Sequence, residues 1–130
     1  MKTTKIIISL FLTLLLVGCG RVQPIMNIED TPVAYEMNNQ QVKTVILEAA
    51  MKRGWVIKEV ANSKITATVD VRSHSATIEI PYTNKYYSIL YVDSNNLKAD
   101  DQNIHRSYNK WVSTLNRDIQ QKLALLAASQ

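Results

Sequence analysis

The chain has 130 residues, of which 15 are basic and 11 acidic, so its formal net charge at neutral pH is +4. This length accommodates one small domain, and a single cysteine excludes a framework of intramolecular disulfides. The lysines and arginines are scattered and form no basic run, which argues against a nucleic-acid partner. We therefore expect a domain that depends on its hydrophobic core for stability.

The first 18 residues have the pattern of an export signal. Lys2 and Lys5 precede an apolar run over residues 6–17, which is shorter than the ~20 apolar residues that a membrane-spanning helix needs. Small residues follow this run, as they do at a signal-peptide cleavage site. Residues 1–18 are therefore predicted to be a signal peptide.

The four residues Leu16-Val17-Gly18-Cys19 resemble the lipobox of bacterial lipoproteins, in which a peptidase cuts before a cysteine that carries a diacylglycerol thioether. The resemblance implies that Cys19 is a lipidated membrane anchor, with acyl chains such as palmitate, and not a nucleophile. Several chains anchor a protein far more firmly than one, since each buried methylene contributes ~0.8 kcal/mol. Cleavage would remove Lys2 and Lys5 and leave 112 residues with a net charge of +2.

Gly20 bears on whether the protein is sorted to the inner or the outer membrane. In lipoproteins an aspartate directly after the acylated cysteine commonly signals retention in the inner membrane, and here that position is glycine. The resemblance therefore implies a bacterial outer-membrane location, with the domain facing the periplasm.

Residues 19–37 are predicted to be the lipidated cysteine and an extended tether. This segment contains Pro24 and Pro32 and shows no sustained periodicity. A short extended stretch at 32–35 could dock on the edge of the domain. The folded domain is then expected over residues 38–130.

The first predicted element of that domain is a helix over about 39–53. Asn38 can serve as its N-cap with Gln41 three residues later, and Gly54 can take the left-handed conformation after its end. Five apolar residues recur at helical spacing and predict one buried stripe. They are Val42, Val45, Ile46, Ala49 and Ala50.

Four short strands are predicted next, over about 55–60, 64–72, 76–82 and 86–92. Links of about three residues favour hairpins and an antiparallel meander, and the strict alternation implies that one face is exposed to solvent. On the last strand we choose the face with the two tyrosines as the buried one. The residues predicted to face the core are Ile65, Ala67, Val69, Val71, Ala76, Ile78, Ile80, Tyr82, Tyr87, Ile89 and Tyr91.

A second helix is predicted over about 102–127, with Asp100 or Asp101 as its cap. Its apolar residues fall within one broad stripe at helical spacing. The two helices would cover one face of the meander, which predicts an α+β two-layer sandwich in the order helix, four-stranded antiparallel meander, helix.

Catalytic and metal sites are not indicated by these motifs. His74, Asp93, Ser94 and His105 supply the residue types of a Ser-His-Asp triad, but Ser94 is not in a G-x-S-x-G elbow and no glycine-rich segment offers an oxyanion hole. The two histidines also lack the paired spacing of metal ligands, and the cysteine is assigned to lipid. We therefore expect no enzyme activity, no metal and no cofactor.

The chain also resembles a family of small uncharacterised lipoproteins of Gram-negative bacteria. In that family a Gly-Trp pair opens the first strand, an Arg-Ser-His turn joins two strands, and a Tyr-x-Asp-Ser-x-x-Leu segment precedes an Ile-His-x-x-Tyr-Asn-x-Trp helix. The resemblance covers nearly the whole mature domain and implies its fold and compartment, but no activity. The matching residues are Gly54, Trp55, Arg72, Ser73, His74, Tyr91, Asp93, Ser94, Leu97, Ile104, His105, Tyr108, Asn109 and Trp111.

Together these observations predict a non-enzymatic cell-envelope lipoprotein that binds another envelope protein from the periplasmic side. A module that binds a small ligand or an envelope polymer through the same loops or an aromatic rim is an alternative, and a hydrolase is a third. Two loop ends of the meander can meet beside the start of the last helix, which defines a candidate binding surface. Its residues are Arg72, His74, Asp93, Ser94, Asn96, His105 and Asn109.

Overall fold

A computed structural model describes residues 20–130 of the chain, so the predicted signal peptide and Cys19 lie outside the described residues. The described part contains two helices and seven strands. They are β1 (Val22–Pro24), β2 (Ile28–Pro32), α1 (Asn39–Lys52), β3 (Val56–Ala61), β4 (Lys64–Val71), β5 (His74–Pro81), β6 (Tyr86–Asn95), β7 (Asn103–His105) and α2 (Arg106–Ala128).

The strands form a five-stranded antiparallel sheet in the order β2-β6-β5-β4-β3 and a separate two-stranded ribbon of β1 and β7. The predicted α+β class is confirmed, and the helix, meander, helix order is present from α1 to α2. The difference is that the meander gains β2 as an added edge strand and that the ribbon lies outside the main sheet.

Helix α1 agrees closely with its prediction. The Asn38 side chain accepts a hydrogen bond from the Gln41 N–H, and the Gln41 side chain accepts one from the Asn38 N–H, so the capping box is complete. All five residues of the predicted stripe are buried. The helix ends at Lys52, and Gly54 has a φ of +86°, a conformation that costs glycine little because it has no Cβ.

The sheet buries the face that the alternation predicted. The inward residues of β4 and β5 are almost fully buried, except Val71, which is 37% exposed at the end of its strand. Tyr87 and Ile89 of β6 are also buried. On the opposite face the Thr68 and Thr77 hydroxyls lie 2.9 Å apart and form a cross-strand hydrogen bond.

Helix α2 starts later than predicted, and the cap assignment is wrong. The Asp100 carboxylate accepts hydrogen bonds from the N–H groups of Gln102 and Asn103, which builds a turn and not the first turn of a helix. Residues 103–105 then extend as β7, and His105 is the N-cap of α2. The sequence suggested a longer helix because Ile104 fits the apolar stripe, yet it is buried as a strand residue.

Residues 22–37 are not an extended tether. β1 pairs with β7, β2 pairs with β6, and Val33 and Met37 are both buried. The strands escaped prediction because they are short and because β2 contains a bulge between Ile28 and Thr31, which breaks the alternation. The prolines are compatible with these strands, since each stands at a strand end.

Neither helix among residues 20–130 combines the length and the apolarity that a membrane span requires. Two ion pairs connect the helices. The Arg53 guanidinium lies 2.5 Å from the Asp118 carboxylate, and the Lys122 ammonium lies 3.1 Å from the Glu48 carboxylate.

Candidate binding surface at the start of the second helix

The β4–β5 turn and the loop after β6 are joined by hydrogen bonds. The Nδ1 atom of His74 lies 2.6 Å from the carbonyl oxygen of Asn96, and because a carbonyl only accepts, Nδ1 is the donor. The Asn96 side-chain amide donates in turn to the Ser73 hydroxyl at 3.0 Å. The structure therefore brings together three of the predicted surface residues: His74 and Asn96 by direct contact, and Arg72 as the neighbour of Ser73 in the turn.

His105 joins this group through the backbone. Its N–H donates to the Leu97 carbonyl at 2.8 Å, which ties β7 to the loop after β6. Its ring Nδ1 accepts a hydrogen bond from the Ser107 N–H at 3.1 Å and so caps α2. Desolvation lowers the pKa of His105, and nearby positive charges lower it further; they come from Arg106, Lys98, His74 and Arg21.

These charges define a surface that we call the basic end of the domain. It comprises the β4–β5 turn with the first residue of β5, the loop after β6, the residue before β1, the last residue of β7 and the first residue of α2. Its four arginine and lysine side chains are exposed, and no ion pair found within residues 20–130 includes any of them. The members of the basic end are Arg21, Arg72, His74, Lys98, His105 and Arg106.

Asn109 is not available as a surface residue. It is only 6% exposed, and its side chain holds the segment around β1. Its amide group donates to the Pro24 carbonyl at 2.9 Å and to the Gln23 side chain at 3.2 Å, while its oxygen accepts from the Met26 N–H at 3.0 Å. The structure thus gives Asn109 a role in the fold.

Asp93 and Ser94 lie on a different surface, which we call the acidic cleft. Asp100 and Asp101 line it with them, and the cleft has a volume of about 560 Å³. The Ser94 hydroxyl is 2.7 Å from the Tyr91 hydroxyl, so the two share a hydrogen bond. Hydrogen bonds from the backbone N–H groups of residues 102 and 103 lower the pKa of Asp100 and keep it ionised.

The β1–β7 ribbon separates the two surfaces. Val22 pairs with His105 at the basic end, and Pro24 pairs with Asn103 next to the turn that contains Asp100. The ribbon advances ~3.3 Å per residue, so only ~7 Å of strand separates its two ends. The structure therefore divides the predicted surface into a basic part and an acidic part.

Three members of the basic end, Arg21, Lys98 and Arg106, were missed by the sequence analysis. Each is an isolated cation in the sequence, and no motif connects them. The His105 N–H bond to the Leu97 carbonyl brings Lys98 close to Arg106, and the pairing of β1 with β7 adds the distant Arg21. That pairing involves two three-residue strands without a pattern of their own.

The groups of the conceivable Ser-His-Asp triad do not assemble in the described part of the chain. His74 bonds to Asn96, His105 bonds to Ser107, and Ser94 bonds to Tyr91. Between residues 20 and 130, no group of three or more His, Cys, Asp or Glu side chains has the arrangement to hold a metal ion.

A second cleft of about 400 Å³ lies between the sheet and α2. Trp55 and Trp111 line it together with Val69 and Val71, and Lys110 stands among its polar residues. Apolar walls with a few polar groups are the usual composition of small-ligand sites.

A scan of protein-family models finds none that matches this chain, and a search of curated proteins finds no significant match. The resemblance to a lipoprotein family therefore stays a prediction from the motifs of the sequence.

Proposed function

We propose that the chain is an outer-membrane lipoprotein, anchored by lipid on Cys19, whose non-enzymatic domain faces the periplasm and binds another envelope protein. One observation carries the proposal: β1 begins at Val22, three positions after Cys19, and is paired with β7. A folded domain that begins three positions after the lipobox cysteine would be held close to the membrane by an anchor at that cysteine. The motifs shared with the lipoprotein family support the same assignment.

The hydrogen bonds of the polar side chains support a binding role over a hydrolytic one. A serine nucleophile needs a base in contact with its hydroxyl, and that base needs an orienting carboxylate. The rings of His74 and His105 instead join loops and cap a helix, as described above. Both rings are thus engaged in holding the loops and the start of α2, and neither contacts the Ser94 hydroxyl, which is bonded to Tyr91.

We favour the acidic cleft as the protein-binding site, because it lies at the end of the ribbon farther from Cys19. The carboxylates of Asp93 and Asp101 are exposed there, next to the half-buried Tyr91 and Ser94. Such a site suits a basic, partly apolar segment of another envelope protein, since complementary charge accelerates encounter and aromatic groups supply contact area.

Anchoring is tested by metabolic labelling with an alkyne palmitate and by membrane fractionation. The wild-type chain should incorporate the label and pellet with outer membranes, whereas Cys19→Ala should do neither. A Cys19→Ala chain that is still labelled would remove lipidation at this residue from the proposal.

Partner binding is tested by photocrosslinking in cells, with the photoreactive residue placed at Asp101. The matched control carries the same residue at Lys58, an exposed position on the opposite edge of the sheet. A protein crosslinked at Asp101 and lost on Asp93→Lys would support the acidic cleft. The same set of crosslinks from both positions would count against it.

A small-ligand module is the second candidate, and the cleft between Trp55 and Trp111 favours it. Its apolar walls and Lys110 suit an amphipathic anion such as a fatty acid. Titration of fatty acids into the purified chain should quench tryptophan fluorescence and raise Tm if they bind there. The changes should disappear in Trp111→Ala and persist in Lys58→Ala; unchanged fluorescence and Tm in the wild type would reject this candidate.

A further inference from the structure

The position of the basic end relative to the predicted anchor suggests a second contact with the membrane. Three residues lead from Cys19 to Val22, and at ~3.6 Å per residue the chain between them spans no more than ~11 Å. Because β1 is fixed to β7, the reach of the anchor cannot be extended by unwinding a flexible tether. The end of the domain that carries Val22 then stays within reach of the headgroups, although the anchor alone does not fix its orientation; this step rests on the proposed acylation of Cys19.

The basic end is that part of the domain. The Arg21 carbonyl accepts a hydrogen bond from the Arg106 N–H at 2.9 Å, so the first residue of α2 lies beside the entering chain. Val22 stands opposite His105, and the His105 N–H binds the Leu97 carbonyl, which places Lys98 next to the ribbon. Cations from three separate segments thus surround the point where the chain leaves for the membrane.

The opposite charges are displaced from this point. Asp100 and Asp101 lie near the other end of the ribbon, beside Asn103, and the Asp100 carboxylate is already bound by two backbone N–H groups. Near the ribbon, Arg21 and Arg106 lie at the Val22 end, whereas Asp100 and Asp101 lie at the Pro24 end, ~7 Å of strand away. The dipole of α2, a helix of 23 residues, adds positive potential at the same end.

Two of the cations occupy backbone conformations that disfavour side chains. Arg72 has a φ of +59° and Lys98 a φ of +53°, a region that glycine adopts far more readily. Strained residues that persist in a fold often mark functional positions. Five other non-glycine residues of the described part share this conformation, so the strain shows only that arginine and lysine are retained here at a cost.

Val22 adds an apolar group to this surface. Its side chain is 41% exposed and lies in β1 between the flanking cations. Interfacial membrane segments combine cations for the phosphates with apolar side chains for the boundary of the acyl region. The basic end has this composition.

We infer that the basic end docks on the anionic phospholipid headgroups of the membrane that holds the acylated Cys19. The phosphates would bind the guanidinium and ammonium groups of Arg21, Lys98 and Arg106, with Arg72 at the margin. The lipid anchor and the cations then act as two linked contacts, which fix the orientation of the domain and place the acidic cleft at the end of the ribbon farther from the headgroups.

The test uses the acylated full-length protein, purified in detergent and reconstituted into vesicles of phosphatidylcholine alone or mixed with phosphatidylglycerol. A fluorophore is attached through Ser73→Cys in the β4–β5 turn, since Cys19 carries lipid and the chain has no other cysteine. Quenching by lipids with a nitroxide on the headgroup reports contact with the membrane surface. A second label at Ser129→Cys lies directly after the end of α2, which is ~33 Å long. This label reports the end of α2 that is far from Arg106.

The expected result is strong quenching at position 73 in vesicles with phosphatidylglycerol, weak quenching in pure phosphatidylcholine, and little quenching at position 129 in either. High salt should weaken the quenching at position 73 in vesicles with phosphatidylglycerol, because salt screens exposed charges. Replacement of Arg21, Lys98 and Arg106 by glutamate should lower the ratio of docked to free orientations by about fivefold or more for each cation.

A matched triple variant separates this surface from net charge. It replaces Lys52, Lys58 and Lys85 by glutamate, three exposed lysines on α1, on β3 and in the β5–β6 turn. This control should keep the quenching at position 73. Equal quenching in both lipid mixtures, or equal loss in both triple variants, would overturn the docking inference.

Flotation distinguishes a failure of docking from a failure of anchoring. An acylated chain should float with phosphatidylcholine vesicles whether or not the basic end docks. Flotation without lipid-dependent quenching would reject the docking and leave the anchor intact, and a wild-type chain that does not float would reject the anchor.

Discussion

The buried amide of Asn109 fastens the N-terminal segment to α2, because it donates to the Pro24 carbonyl and accepts from the Met26 N–H. This contact joins residues 83 positions apart in the chain. Removal of the side chain leaves the half-buried Met26 N–H and the Pro24 carbonyl without this partner and opens a gap at the buried Asn109 position, both of which are costly.

Asn109→Ala is therefore expected to lower the free energy of unfolding by about 2–3 kcal/mol and to loosen β1 first. Urea unfolding of the mature chain measures the loss, and hydrogen exchange at the Met26 and Arg106 amides should accelerate before the sheet is affected. Ser113→Ala is the control, since Ser113 reaches the same segment only through a weak contact with the Met26 sulfur at 3.5 Å. Equal effects of the two substitutions would contradict the assigned role.

Loss of the hydroxyl group should change the stability of the fold differently at two buried tyrosines. The Tyr87 hydroxyl donates to Asn116 at 2.5 Å and accepts from Gln120 at 2.7 Å, whereas the buried Tyr108 hydroxyl has no partner within the described residues. Tyr87→Phe is expected to destabilise the fold by about 1–2 kcal/mol. Tyr108→Phe should be neutral or stabilising, because it removes an unsatisfied polar group. Urea unfolding of both variants measures the two changes in the free energy of unfolding. Equal losses of stability in Tyr87→Phe and Tyr108→Phe would contradict the prediction.

His105 should make stability depend on pH. Its pKa is lowered in the fold, so the unfolded chain binds more protons. The stabilisation by the neutral cap is therefore complete above the unfolded pKa of ~6.5 and declines as the pH falls from there toward the lower folded pKa. The charged and titratable neighbours are Arg21, His74, Lys98 and Arg106.

His105→Asn is the matched variant for this pH dependence, because asparagine also caps a helix through a side-chain oxygen but does not titrate. Urea midpoints at pH 7.5 and pH 5 should converge more closely in the variant than in the wild type. An unchanged difference between the two pH values would exclude His105 as the responsive group.

The fold and the site differ in how far the sequence predicts them. Helix α1 was predicted almost to the residue because Asn38, Gln41 and Gly54 act locally, and the sheet face followed from strict alternation. The ribbon was missed because its strands depend on each other across the whole chain. The basic end depends on that ribbon, so it was found only in part, through Arg72, His74 and His105.

Arg72→Gly should stabilise the fold by about 1 kcal/mol, since Arg72 has a φ of +59° and glycine adopts this conformation with less strain. Ala34→Gly is the control, because Ala34 has a φ of +66° and is exposed outside the basic end. Both variants should shift the urea midpoint upward by similar amounts. In vesicles, only Arg72→Gly should weaken the quenching at position 73. A lower midpoint for Arg72→Gly would show that the arginine contributes more to stability than its strain costs.

The pairing of Val22 with His105 also sets an order on folding, if the chain is exported as proposed. A chain that crosses a membrane with its N-terminus first presents residue 22 long before residue 105 has emerged. The ribbon cannot close in that interval, and contacts between such distant segments form slowly. Under the proposed export, closure of the ribbon is therefore a late step of folding, which follows the delivery of nearly the whole chain and completes the domain.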